Sequence, residues 1–195
     1  MGEMKRRLAG IDLASTDAII FANTTGDLPL DRDAFLAWLK SGKAFIGMHS
    51  ASDTFHGWPA FIEMLGGEFR THGAQVGVEC RNCDRDHPAT AALGATWPIK
   101  IEEIYLFKNY DPAKVHELLT MDKHPNEKTP GHFPVSWCKE YGKGRVFYTS
   151  LGHREDMWAS EAYQKHILGG ILWALGLKPG DATPQTKESP AGAGK

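Results

Sequence analysis

The sequence predicts an α/β fold: a mostly parallel sheet joined by helical crossovers. Three observations predict it. Two short apolar runs, Ala18 to Ala22 and Ala44 to Met48, read as buried strands. Each is followed by a helix-spaced segment. One is capped by Asp31 or Asp33 and runs to about Lys40, with Phe35, Leu36 and Leu39 on one face; the other spans Trp58 to Leu65. The connections are short and turn-rich, Thr24 to Pro29 and Ser41-Gly42, as right-handed crossovers between parallel strands require. With 42% hydrophobic and 10% aromatic residues, the chain can bury a sizeable core.

The second half changes character. Gln75 to Glu79 and Ile99 to Glu103 alternate as half-buried strands do, and Val115 to Met121 forms a further strand. Val135 to Tyr141, the Gly142-Lys143-Gly144 turn and Arg145 to Ser150 read as a hairpin. A final helix runs from Ser160 or Glu161 to Leu175, with Tyr163, Ile167, Ile171 and Leu172 at helical spacing. Residues 1–177 are therefore one domain. Residues 178–195 are rich in Pro, Gly, Ala, Thr and Lys, and are expected to be a disordered tail. A polar stretch with at most one helical turn, around Arg7 to Ile11, precedes the first strand. The sheet is expected to lack its opening strand, with the gap filled by Lys5 to Leu13 or by association with a second copy.

The balance of 22 basic and 24 acidic residues, net charge −2, excludes the broad basic field of a nucleic-acid or anionic-lipid binder. No apolar run is long enough to span a bilayer. The basic start, Met1 to Arg7, has no apolar stretch after it and is not a signal peptide as it stands, which predicts a cytoplasmic protein. The three cysteines, Cys80, Cys83 and Cys138, are too few and too uneven for a disulfide framework. Cys80-Arg81-Asn82-Cys83 is half a zinc site with no second half, and reads as incidental thiols.

Four polar positions follow apolar runs or sit at Gly-rich corners. They are His49 after the second strand, His72 after Gly66-Gly67, Glu103 in Glu102-Glu103-Ile104-Tyr105, and His153 in Leu151-Gly152-His153. Strand ends at the carboxyl edge of an α/β sheet are where ligands bind. Three imidazoles and a carboxylate suit a divalent metal such as zinc, held by His49, His72 and His153, or metal-free acid/base work by all four. The remaining histidines, His56, His87, His116, His124, His132 and His166, are taken as structural or solvated. Trp137 and Trp173 sit in apolar contexts and read as core; Trp58 could equally line a cleft or anchor the start of a helix.

The stretches Phe21 to Leu28, Phe45 to Ala51, Trp58 with Leu65 to Phe69 and His72, and Asp86-His87-Pro88 occur in an order that resembles the ThuA-like (trehalose-utilisation) family. So do Glu102 to Tyr105, Pro134 to Trp137, Gly142 to Tyr148, Leu151-Gly152-His153 and Gly169 to Ala174. The resemblance covers most of Asp17 to Gly176. It implies a flavodoxin-like three-layer fold similar to class I glutamine amidotransferases. In those enzymes a Cys occupies the strand-to-helix elbow, whereas here His49 looks to stand there, so glutamine amidotransferase chemistry is not implied. What is implied is a role in catabolism of trehalose, a related disaccharide or a keto-sugar, with a small-molecule sugar as ligand. Asn23, Asp53 and Trp58 are the candidates for substrate contact. Family members usually begin with a further strand and a polar loop, which this chain departs from.

Two functions compete. One is a sugar-processing enzyme of hydrolase, lyase or isomerase type. The other is a non-catalytic carbohydrate-binding or assembly module using the same cleft. Alanine substitution separates them: an enzyme loses turnover with modest loss of binding, a binding module loses affinity alone.

Overall fold

The computed structural model describes residues 12–185. The helical turn expected around Arg7 to Ile11, and all but the end of Lys5 to Leu13, lie outside the described residues; Leu13–Ser15 is a single 3-10 turn. The strands are β1 (Ala18–Ala22), β2 (Ala44–Met48), β3 (Glu68–His72), β4 (Val76–Asn82), β5 (Thr96–Glu102), β6 (Tyr105–Lys108), β7 (His116–Lys123), β8 (Pro130–Tyr141) and β9 (Gly144–Thr149). The α-helices are α1 (Arg32–Lys40), α2 (Pro59–Leu65), α3 (Glu155–Trp158) and α4 (Glu161–Ala174). Asp31 caps α1, accepting from the Ala34 N–H at 3.0 Å.

Seven strands form one sheet in the order β1-β2-β9-β8-β7-β4-β5. The expected parallel arrangement holds for β1, β2 and β9. The expected hairpin makes β9 to β8 antiparallel; β8 to β7, β7 to β4 and β4 to β5 are antiparallel too, so the sheet is mixed and not mostly parallel. The reason is connection length. The two-residue turn Gly142-Lys143 can only return the chain antiparallel, with Tyr141 paired to Gly144 and Gly142 at φ +64°. A separate antiparallel ribbon, β3 with β6, was not evident from the sequence.

Helices cover both faces of the parallel part. On one face α1 and α2 bury Phe35, Leu39, Phe61 and Met64 against Phe21, Phe45, Trp137 and Tyr148. On the other, α4 lays Tyr163, Ile167 and Trp173 over Ile46, Cys138 and Phe147. Every residue of β2 is buried, as a strand covered on both faces must be. Trp137 and Trp173 are fully buried, as their contexts predict. Cys80, Cys83 and Cys138 are free thiols; burial pushes Cys80 up to about 12 and raises Cys83, so neither is an activated nucleophile.

Residues 178–185 make hydrogen bonds to the domain. Trp173 Nε1 donates to the Gly180 carbonyl at 3.0 Å, and His116 Nδ1 to the Thr183 carbonyl at 2.7 Å. Gln185 brackets the backbone of Glu117 with two bonds of 3.2 Å. The tail lacks apolar residues for a core of its own, but it supplies acceptors to buried donors that need them.

Two outcomes follow from the packing of α4. A Cβ at Gly169 would meet the Pro88 carbonyl, so Gly169→Ala should lower stability by about 1–3 kcal/mol in urea denaturation, the usual cost of overpacking. Burial holds His166 and His87 down at about 4, against an ordinary value of 6.5. Their unfolded forms therefore bind protons that the folded ones refuse, and the stability they give is present above pH 6.5 and lost as pH falls toward 4. Melting temperature should drop across that window, and His166→Leu should flatten the slope; an unchanged slope would show that the ring is solvated.

Candidate active site

Strand register builds the site. Parallel pairing sets Met48 beside Thr149, so the residues one step beyond, His49 and Ser150, leave the sheet together. His49 opens the 3-10 turn His49–Asp53 with φ +47°, a left-handed conformation in which non-glycine residues are uncommon. That backbone turns its ring back across the sheet edge. Nδ1 donates to the Ser150 carbonyl at 2.8 Å. A carbonyl only accepts, so the proton lies on Nδ1 and Nε2 keeps its lone pair. The turn is held from below by Tyr148, whose hydroxyl donates to the His49 carbonyl at 2.7 Å and meets Ser52 Oγ at 2.8 Å.

His49 Nε2 faces the other candidates. His153 Nδ1 stands 3.2 Å from it, and Glu103 Oε2 3.4 Å. His153 Nδ1 and Glu103 Oε2 are themselves 3.4 Å apart. The triangle is nearly equilateral. His72 Nδ1 approaches the other oxygen, Glu103 Oε1, at 3.3 Å, and also the Gly73 carbonyl at 2.9 Å. All four residues expected to converge do so. Of the expected metal set His49, His72 and His153, the first and last stand together; the three mutually close ligand atoms belong to His49, Glu103 and His153, while His72 approaches the other Glu103 oxygen. The cause is the ribbon. Register shifts between Phe69 and Thr71, and this bulge carries His72 along the rim rather than into the triangle.

Burial grades the site from floor to mouth. The side chain of His49 is 4% exposed, that of Glu103 11%, those of His153 and His72 38% and 43%. Burial lowers the His49 pKa, opposed by the Ser150 carbonyl and reinforced by the His153 charge. His49 is thus a neutral base at neutral pH. Tyr105 packs on it with ring centroids 4.3 Å apart and on Phe69 at the same distance, which shields that side from water.

The residues expected to touch substrate each make bonds within the protein. Asn23 Nδ2 donates to the Gly152 carbonyl at 3.1 Å, so its amide serves the loop that carries His153. Asp53 pairs with His56 Nε2 at 2.5 Å, and His56 Nδ1 reaches Glu68 at 2.6 Å. Bonds to Glu68 and then Asp53 raise the His56 pKa, so its imidazolium ties the end of the His49 turn to the start of β3. Burial would push Glu68 up, but His56, Lys108 and Asn109 outweigh it and hold it below its ordinary value. Trp58 stacks on Phe61 under the Arg32 guanidinium, in the aromatic cluster. Sequence reasoning missed Glu102, whose Oε1 accepts from the N–H groups of Glu103 at 2.9 Å and His153 at 3.2 Å; its adjacency to Glu103 was the one available signal.

The fold and the cluster define an α/β protein that holds a His/Glu triad at the carboxyl edge of its parallel strands. The chain belongs to the ThuA family, described as trehalose utilisation, whose model matches residues 3–174. Its structure is similar to a ThuA-like protein from Parabacteroides merdae, with 19% identity and TM-score 0.74 over 95% of this chain and 77% of that one. A second, from Bacteroides uniformis, has 23% identity and TM-score 0.68 over 83% and 70%. A β-galactosidase from Bacillus circulans has 13% identity and TM-score 0.56, over 85% of this chain but 23% of its own. At these identities the likeness concerns the fold. No curated protein sequence matches the chain.

The anchoring of His49 has measurable consequences. His49→Ala should lower stability by about 1–3 kcal/mol in thermal melts, since the Ser150 carbonyl loses its donor, yet leave the fold intact. Tyr148→Phe should cost a similar amount by removing the shorter of two hydroxyl bonds to the buried His49 carbonyl and the partner of Ser52 Oγ, and far-ultraviolet circular dichroism should stay unchanged.

Proposed function

We propose that this protein is an enzyme of carbohydrate catabolism that acts on trehalose, a related disaccharide or a keto-sugar through Glu103, His49 and His153. Family membership supports the substrate class. The observation that carries the chemistry is the triangle of 3.2 to 3.4 Å edges around a buried imidazole lone pair. In its metal-free form the triangle is a proton-transfer site. Glu103 is a carboxylate with little exposure, suited to taking a proton from a substrate hydroxyl or from the carbon beside a ketone. His153, at the mouth, is placed to return a proton to the leaving or enolic oxygen. His72, bonded to the Gly73 carbonyl, stands at the rim beside the other Glu103 oxygen.

The same atoms fit a divalent metal such as zinc. Tetrahedral bonds of about 2.0–2.1 Å place neighbouring ligand atoms about 3.3–3.4 Å apart, which is the spacing found. His49 donates its second nitrogen to a backbone carbonyl, the arrangement that orients a ligating imidazole. Three protein ligands leave a fourth position for water or substrate. Such a metal would polarise a carbonyl or acidify a bound water. We further place the protein in the cytoplasm, on its unpaired thiols, and on the flavodoxin-like side of the α/β folds, on the three parallel strands with helices on both faces. No helix among the described residues is long and apolar enough to cross a membrane.

Elemental analysis and Co²⁺ titration should find one equivalent bound by the wild type and none by Glu103→Gln or His153→Ala. A screen of trehalose, other disaccharides and their keto derivatives should show turnover that the same variants lose with modest change in sugar affinity. Loss of affinity alone would favour a binding module, and turnover without bound metal would assign the chemistry to the side chains.

A further inference from the structure

Glu103 and His153 meet although no strand pairing brings them together. Glu103 follows β5, which forms one edge of the seven-stranded sheet; His153 follows β9, with β8, β7 and β4 in between. Over that span, curvature alone cannot fix two side chains to within a hydrogen bond. Glu102 bridges the gap. Its side chain is completely buried, and one oxygen, Oε1, accepts from the N–H of Glu103 at 2.9 Å and the N–H of His153 at 3.2 Å. The far end of the same peptide is also pinned: the Gly152 carbonyl accepts from Asn23 Nδ2 at 3.1 Å and Trp158 Nε1 at 2.8 Å. Glu102 Oε2 has no hydrogen-bond partner among the described residues. A carboxyl buried without a cation is costly, so it persists where its position is needed.

We propose that Glu102 is a positioning residue, which sets the Glu103–His153 separation by holding both backbone N–H groups on one carboxyl oxygen. This rests on the reading that Glu103 and His153 act together. It concerns neither substrate nor metal contact. The requirement is an acceptor at that point and not a charge. Glu102→Gln keeps the acceptor, whereas Glu102→Ala removes it and Glu102→Asp withdraws it by one methylene.

The test uses the whole chain with two readouts. Ring-nitrogen NMR of His153 and His49 in metal-free protein reports the arrangement directly, and Co²⁺ titration reports it through affinity. Glu102→Ala and Glu102→Asp should move the His153 signals toward those of a free imidazole and weaken Co²⁺ binding by about 10-fold or more, the range for outer residues that orient ligands. Glu102→Gln should keep wild-type signals and stay within about twofold in affinity. Wild-type signals in a folded Glu102→Ala would overturn the proposal, as would a Glu102→Gln as damaged as Glu102→Ala. If Glu102→Ala does not fold, Glu102→Asp and Glu102→Gln decide it. A wild type that binds no Co²⁺ removes the metal reading, and the NMR comparison still decides the role of Glu102.

Discussion

The parallel pairing of β2 with β9 is the constraint on which the site depends. It places Met48 opposite Thr149 in the interior of the domain, and both chains then leave the sheet at the same edge. The 2.8 Å bond from His49 Nδ1 to the Ser150 carbonyl continues that pairing by one side chain. It fixes the tautomer, the ring plane and the direction of the free nitrogen at once. The left-handed backbone at His49 is strain of the kind that persists only where its surroundings over-determine it. Tyr148 and Ser52 below, and Tyr105 beside the ring, supply that determination.

The fold was legible where burial is local. Apolar runs announced β1, β2 and β9, Asp31 or Asp33 announced α1, and the Gly142-Lys143 turn announced the hairpin. Sheet direction past β8 was not legible, because alternation does not distinguish parallel from antiparallel neighbours. The ribbon escaped because Glu68 to His72 and Tyr105 to Lys108 are short, and half of one is solvent-exposed.

The site was legible as a set of positions but not as a set of bonds. His49 and His153 could be read from strand ends, and Glu103 and His72 from corners. Which of them share a vertex depends on a bulge near Arg70 that leaves no mark in the sequence. The candidates for substrate contact illustrate the same limit. For Asn23, Asp53 and Trp58 the sequence offered a residue type and a neighbourhood, but not their bonds to the Gly152 carbonyl, the His56 ring and the aromatic cluster. Proximity in the chain gives a neighbourhood; hydrogen-bond demand decides what a residue does within it.

The detached ribbon gives the site an asymmetry. His49 and His153 are mounted on one continuous sheet, whereas His72 is carried by two short strands paired only with each other. A two-stranded ribbon has little stability of its own and takes its position from what it leans on. Here it is moored at its first residue, Glu68, by the His56 imidazolium, and His72 stands at its opposite end. That end is held as well, because its pair residue Tyr105 packs on the His49 ring with centroids 4.3 Å apart. The ring that shields the buried imidazole is thus also the second anchor of the ribbon, and one tyrosine joins the rim of the site to its floor.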